Sequence, residues 1–171
     1  MKRRALTCLT TLSAVAILWV SLGEQSPKQF IWNASESVPV GLYRLRAIRK
    51  LAVTDLVAVQ PPEPLATFLS EGGYLPRGIP MLKRVLALPG QTVCRNHLLI
   101  TVDDIALGEA LERDRRGRSL PVWQGCHVIG EGEVFLMNWQ SADSLDGRYF
   151  GVTLATAILG RADPLWTKEE E

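Results

Sequence analysis

A serine, a lysine and an acid–arginine segment, met in that order, are where the chemistry of this chain is concentrated. Ser37 lies in Ser35-Glu36-Ser37-Val38-Pro39-Val40-Gly41, and Lys83 in Lys83-Arg84-Val85-Leu86-Ala87-Leu88-Pro89-Gly90. The third segment is Ser144-Leu145-Asp146-Gly147-Arg148-Tyr149-Phe150-Gly151. A serine hydroxyl attacks a carbonyl only when a base removes its proton. The two histidines are poor candidates for that base. His97 follows Asn96 in a turn, His127 adjoins Cys126 at the start of a strand, and neither sits in a Ser-His-Asp pattern. A lysine can serve if it is neutral. At its ordinary pKa of about 10.4, about one lysine in two thousand is a free base at pH 7. Burial that lowers the value to roughly 7–8 raises that fraction a few hundred-fold. Lys83 has suitable apolar company in Met81, Leu82, Val85, Leu86 and Leu88. Taken singly, the three segments have plainer readings: a serine in a turn, an exposed edge-strand lysine and a surface ion pair.

The elements that must position these residues are mostly short strands. Pro39 and Gly41 make the Ser37 region a turn leading into a strand, Leu42 to Leu45. Asp55-Leu56-Val57-Ala58-Val59 is a short strand ended by Pro61-Pro62. Pro64 to Leu75 reads as a short helix with Leu65, Phe68 and Leu69 on one face, ended by Gly72-Gly73. Met81 to Leu88 reads as a buried strand closed by Pro89-Gly90, and alternation puts Lys83 with Met81 and Val85 on one face. Leu98 to Val102, Val134 to Met137, Val152 to Leu154 and Ala157 to Leu159 supply further strands. Frequent Gly and Pro between short strands predict a mainly β, antiparallel domain. The 104–125 stretch reads as an excursion from that core. Its arginines, Arg113, Arg115, Arg116 and Arg118, are broken by Asp114 and Gly117 and read as a solvated loop.

The 171 residues fit one domain plus an N-terminal appendage. Lys2, Arg3 and Arg4 precede 19 uncharged residues, Ala5 to Gly23. As a helix that run is roughly 29 Å long, close to the ~30 Å hydrocarbon core. Trp19 stands near one end, where an amphipathic ring suits the interface. The expectation is a basic cytoplasmic tail at 1–4, a transmembrane signal-anchor at 5–23 and an exported domain at 24–171. The alternatives are a cleaved signal peptide, against which no convincing small-x-small site follows the run, and a buried core helix. The net charge of +1 depends on the tail: the rest of the chain carries 16 basic against 18 acidic residues. With no concentrated basic surface, nucleic-acid binding is not expected. Outside the cytoplasm a disulfide between Cys94 and Cys126 is permitted, and two unlinked buried thiols are the alternative. No Cys/His spacing of a metal site is present, and no cofactor is implied.

Together the segments resemble the type I signal peptidases, Ser/Lys proteases acting on the outer face of the membrane. The more specific likeness is to their conjugative-transfer branch, the TraF-type peptidases that mature pilin subunits. It runs from the uncharged N-terminal segment to about Gly160. Asn33-Ala34-Ser35-Glu36-Ser37-Val38-Pro39-Val40-Gly41-Leu42-Tyr43 has the Ser-x-Pro-x-Gly-Leu-Tyr form of that branch. Asp55 to Val59 is similar to a family strand. Lys83 to Gly90 is similar to the Lys-Arg-hydrophobic-Pro-Gly box, and Ser144 to Gly151 to the Ser-x-Asp-Ser-Arg box. Two departures are visible. Gly147 stands where the family often has Ser, and Asn138-Trp139-Gln140 replaces the Gly-Asp-Asn lead-in of general signal peptidases.

The resemblance implies a signal-peptidase-like antiparallel β catalytic domain behind an N-terminal transmembrane helix, single-pass in the bacterial inner membrane with the catalytic domain in the periplasm. It makes Ser37 the nucleophile and Lys83 the general base. Ser35 becomes a side-chain donor to the oxyanion, Ser144 orients the lysine amine, and Asp146 and Arg148 pair to hold that segment. The implied substrate is a pilin precursor or another exported, membrane-inserted protein. Either water or the pilin's own N-terminal amine resolves the acyl-enzyme, the latter closing a ring. A general signal peptidase and a non-catalytic scaffold of a conjugation or secretion apparatus are the competing readings.

Overall fold

The structure, a computed structural model, describes residues 29–168. The basic tail, the uncharged run 5–23 and the last three glutamates lie outside the described residues. Among the described residues no helix is long and apolar enough to cross a membrane.

Seven strands form the larger sheet: β1 (Phe30–Asn33), β2 (Gly41–Arg46), β3 (Leu56–Val59), β4 (Met81–Ala87), β9 (Glu133–Leu136), β10 (Thr153–Leu154) and β11 (Ile158–Thr167). Their order is β1-β2-β11-β3-β4-β9-β10. Four more, β5 (Thr92–Asn96), β6 (Leu99–Val102), β7 (Ile105–Glu109) and β8 (Gly125–Val128), form a second sheet in the order β7-β6-β5-β8. Every strand pairing is antiparallel. Two helices interrupt them, α1 (Leu65–Glu71) and α2 (Gly147–Phe150).

Burial explains the sheet order. β3 is Leu-Val-Ala-Val with all four residues buried, as a strand covered on both faces requires. Its neighbour β4 sets Lys83 opposite Val57 and Leu82 opposite Ala58. Val57, Val59, Val85, Val134 and Leu136 pack on one face, while Leu56, Ala58, Leu82, Tyr43 and Ala162 pack on the other. The predicted alternation therefore places Lys83 correctly with Val85, but neither face of β4 is solvent. Between Val85 and Ala87 the register shifts. There β4 turns toward the second sheet, and Leu86 and Ala87 join Val93, Ile100, Val102, Phe135 and Met137 in the core between the sheets. Register irregularities of this kind commonly re-aim a strand.

Strands β1, β5 and β7 and most of β11 go beyond the sequence expectations, while α1 agrees with them. β1 was not among the expected strands: its apolar run, Phe30-Ile31-Trp32, is only three residues long, and only Ile31 and Asn33 of the four are buried. β11 runs for ten residues through Arg161, Asp163 and Pro164, held between β2 and β3 despite a broken apolar pattern. α1 ends at Glu71, at the Gly72-Gly73 stop expected from the sequence, with Gly72 as its cap. The 104–125 excursion contains β7, which pairs with β6 to extend the second sheet.

Two close contacts tie distant parts together. Cys94 and Cys126 face one another across β5 and β8 and form a disulfide. Gly41, at the start of β2, lies under the end of β11: a β-carbon there would come within 2.1 Å of the Trp166 carbonyl oxygen. Beside it the Trp32 and Trp166 rings stack with centroids 5.8 Å apart.

Candidate active site

The nucleophile segment is a turn held by one side chain. Asn33, the last residue of β1, is 7% exposed. Its Nδ2 donates to the carbonyls of Ser35 at 2.8 Å, Val38 at 3.0 Å and Pro39 at 3.1 Å. Its Oδ1 accepts from the Ser35 amide at 3.2 Å and the Ser35 hydroxyl at 2.8 Å. The Tyr43 hydroxyl, reaching back from β2, donates to the Pro39 carbonyl at 2.6 Å. Asparagine favours such local bonds to the backbone, which suits it to a turn. The result presents Ser37 half-exposed, with its Oγ 3.2 Å from Ser35 Oγ.

Lys83 is held in the opposite way, by the sheet. It is 5% exposed on β4, and its Nζ donates to Ser144 Oγ at 2.8 Å. Burial pushes the amine down to about 8, against the smaller pull of Asp146, which favours the charged form; Arg148 adds to the lowering. Asn138 fixes the backbone on both sides of Lys83. Its Oδ1 accepts from the Arg84 amide at 2.9 Å and its Nδ2 donates to the Leu82 carbonyl at 3.1 Å.

Ser144 is itself fixed by a buried ion pair. Arg148 and Asp146 are each 2% exposed, with Nε–Oδ1 at 2.9 Å and Nη2–Oδ2 at 3.0 Å, a two-pronged contact. The same Nη2 donates to the carbonyls of Ser141 at 2.6 Å and Ser144 at 3.1 Å. Asp146 also caps α2 through the Arg148 amide and accepts from the Asn138 amide at 3.0 Å. Buried charges survive when paired and hydrogen-bonded in this way. Gly147 now has a steric reason: a β-carbon there would lie 2.7 Å from the Leu136 carbonyl and 2.7 Å from the Phe135 ring. The side chain often found at that position does not fit in this structure.

Ser35, Ser37, Lys83 and Ser144 all line one cavity of about 670 Å3, whose walls continue through Leu69, Leu111, Leu145 and Tyr149. Among the described residues no direct hydrogen bond joins Ser37 to Lys83. The Ser35 hydroxyl donates to Asn33, so it reaches an oxyanion only by turning from that bond. His97 and His127 are not among the lining residues, and His127 pairs with Glu133 at 2.8 Å. The arginine cluster is more than a solvated loop. Arg118 binds Asp114 at 2.6 Å and lies over the Tyr74 ring at 4.4 Å, Arg115 pairs with Asp143, and all of them line the cavity. Among the described residues no group of three His, Cys, Asp or Glu side chains is placed to hold a metal.

Asn33, Tyr43 and Asn138 position the site, although in the sequence they stood out only as letters within boxes, with no role of their own. An asparagine at a strand end directly before a turn was the available signal for Asn33 and Asn138. Tyr43 was marked as the last letter of the Ser-x-Pro-x-Gly-Leu-Tyr box, without its bond to Pro39 being foreseeable.

Comparison with known proteins gives the family of the chain. The family described as signal peptidase, peptidase S26 matches residues 1–166. The chain is 34% identical over 146 residues to the conjugal transfer protein TraF of Agrobacterium fabrum, covering 79% of this chain and 81% of that protein. It is 33% identical over 153 residues to a plasmid transfer protein TraF of Escherichia coli, covering 82% and 83%. A signal peptidase I structure from Enterococcus faecalis aligns with a TM-score of 0.40 at 21% identity, covering 67% of this chain and 98% of that one. The chain belongs to the signal peptidase, peptidase S26 family of serine peptidases, and within it to the TraF type.

Proposed function

We propose that the protein is a membrane-anchored serine endopeptidase with Ser37 as nucleophile and Lys83 as general base, processing an exported, membrane-inserted pilin precursor for conjugative transfer. Residues 5–23 form its anchor in the inner membrane, residues 1–4 stay in the cytoplasm, and residues 24–171 work in the periplasm. The observation that carries this reading is the buried Lys83 amine, donating to Ser144 at 2.8 Å on the wall of the cavity onto which Ser37 opens.

The reaction needs Lys83 neutral. Ser37 Oγ gives its proton to Lys83 Nζ as it attacks the scissile carbonyl. The tetrahedral oxyanion takes hydrogen bonds from the Ser37 amide and, once turned, the Ser35 hydroxyl; donors of this kind contribute a few kcal/mol. Lys83 returns the proton to the leaving amine and an acyl-enzyme forms on Ser37. Catalytic hydrogen bonds in unliganded sites are often long and tighten only with substrate, which accommodates the missing Ser37–Lys83 bond. Water or the pilin's own N-terminal amine then takes the acyl group.

The test is precursor processing in cells carrying wild type, Ser37→Ala or Lys83→Ala at equal expression. Both variants accumulate unprocessed pilin, with at least a ~10³-fold loss of rate. Normal processing by either variant sinks the dyad, and pilus assembly restored by Ser37→Ala supports a scaffold. The mass of mature pilin separates hydrolysis, which retains one water, from ring closure, which does not.

A further inference from the structure

Arg95 is a buried cation that the reaction above does not use. It lies on β5, 1% exposed, and among the described residues it forms no ion pair. All its hydrogen bonds go to backbone carbonyls. Nε donates to His97 at 2.9 Å, and Nη1 donates to Arg148 at 2.5 Å and, at 3.5 Å, to Pro121. A buried guanidinium without a carboxylate is costly, so one is expected only where its donors are needed. Here the shortest of them caps a carbonyl of α2, a four-residue helix whose last carbonyls lack intrahelical partners. Trp123 Nε1 adds a second bond, at 2.9 Å, to the Gly147 carbonyl, which also accepts from the Gly151 amide. β5 is an unyielding base for this contact, because the neighbouring Cys94 is bonded to Cys126 on β8.

The contact continues into the site. The residue whose carbonyl Arg95 holds is Arg148, whose guanidinium grips Asp146 and the Ser144 carbonyl. Ser144 in turn receives the Lys83 amine. We infer that Arg95 is a positioning residue for the reaction: from the disulfide-stapled sheet it fixes the Ser144–Arg148 segment, and through it the Lys83 amine. The inference rests on Lys83 acting as the base. The charges acting on Lys83 are Asp146 and Arg148, both on this segment; its β3 neighbour is Val57, and Asn138 contributes none. Glu36 on the nucleophile turn, and Asp143, Asp114 and Arg115 stand farther round the cavity.

Loosening the segment lets water reach Lys83, so its amine binds a proton more readily. The experiment is a titration of the lysine Cε resonances by NMR on the full chain in detergent micelles, with Lys83→Met identifying the Lys83 signal. In wild type the midpoint lies at about 8. In Arg95→Met it rises toward the ordinary lysine value, cutting the neutral fraction at pH 7 about tenfold. Arg95→Lys, which keeps a donor, recovers part of the difference. A folded Arg95→Met protein with an unchanged midpoint overturns the inference. Failure of both variants to fold assigns Arg95 to the fold alone and overturns it as well. The readout needs no substrate, so a failure of the proposed reaction, seen as processing by Ser37→Ala, is visible separately.

Discussion

The turn that carries Ser37 and the strand that carries Lys83 are held by different means. The turn is half-exposed and cinched by bonds from Asn33 and Tyr43, with solvent on its outer side. The strand lies between two packed faces, and Lys83 is nearly as buried as the valines around it. The difference suits the two tasks that the proposed reaction assigns to these residues. A nucleophile has to meet a polypeptide, so it needs access and only local rigidity. A lysine base has to be kept from water, because desolvation is what makes its amine neutral. One group is placed by a few hydrogen bonds, the other by a core.

Breaking the buried side should cost most. Asp146→Ala leaves the Arg148 guanidinium buried beside no carboxylate, a loss of about 3–5 kcal/mol in unfolding free energy by denaturant titration. A loss under about 1 kcal/mol would mean that the pair holds the Lys83 side far less firmly than its geometry indicates.

The sharper test is Lys83→Met, which should abolish processing while stabilising the fold. The unfolded lysine keeps its proton up to about 10.5, whereas the folded amine gives it up above about 8. Below pH 8 the burial is therefore a full cost, of up to about 3 kcal/mol. The cost shrinks as pH climbs through the window from about 8 to 10.5, where the unfolded chain binds more protons than the folded one. Lys83→Met should be the more stable protein at pH 7, with its advantage narrowing at pH 9.5. Equal stabilities at both pH values would contradict a strained lysine. Wild-type processing should likewise rise with pH through about 8.

The smallest effect belongs to the exposed side. Asn33→Ala removes the clamp of the turn; the Pro39 carbonyl keeps its bond from Tyr43, while that of buried Val38 loses its side-chain partner, so stability falls by about 1–2 kcal/mol. The rate should fall more noticeably, roughly tenfold, because Ser37 loses its fixed direction. A stability loss as large as that of Asp146→Ala would erase the contrast between the two regions.

The same division governs what could be read in advance. Residues whose type is their chemistry stood out: the resemblance to the family's boxes marked Ser37, Lys83, Ser144, Asp146 and Arg148, with apolar company supporting Lys83, and the structure sets them around one cavity or directly behind it. The strands that carry a strong apolar pattern, β3, β4, β6 and β9, were legible from that pattern. Residues whose contribution is to hold backbone were not, because Asn33 and Asn138 act through partners fixed only by the fold. β1 was hidden because its apolar run is only three residues long, and β11 was legible only at its start, pairing with β2 carrying it on through Arg161, Asp163 and Pro164. Nor did Arg115, Arg116 and Arg118 announce that they face the cavity. Arg118 lies over Tyr74, far back in the chain, and Arg115 pairs with Asp143, 28 residues on.

Gly41 gives the first sequence box a different meaning. Scanned as a pattern, Ser37-Val38-Pro39-Val40-Gly41 looks self-contained, as though its letters answered only to one another. The space above Gly41 is occupied by the carbonyl of Trp166, at the far end of the chain. One letter of the signature is thus dictated from the opposite terminus. Across relatives, a side chain at this position should be inherited only together with a rerouted or shortened last strand, and grafting the box onto another scaffold without that strand would copy the spelling and lose the reason for it.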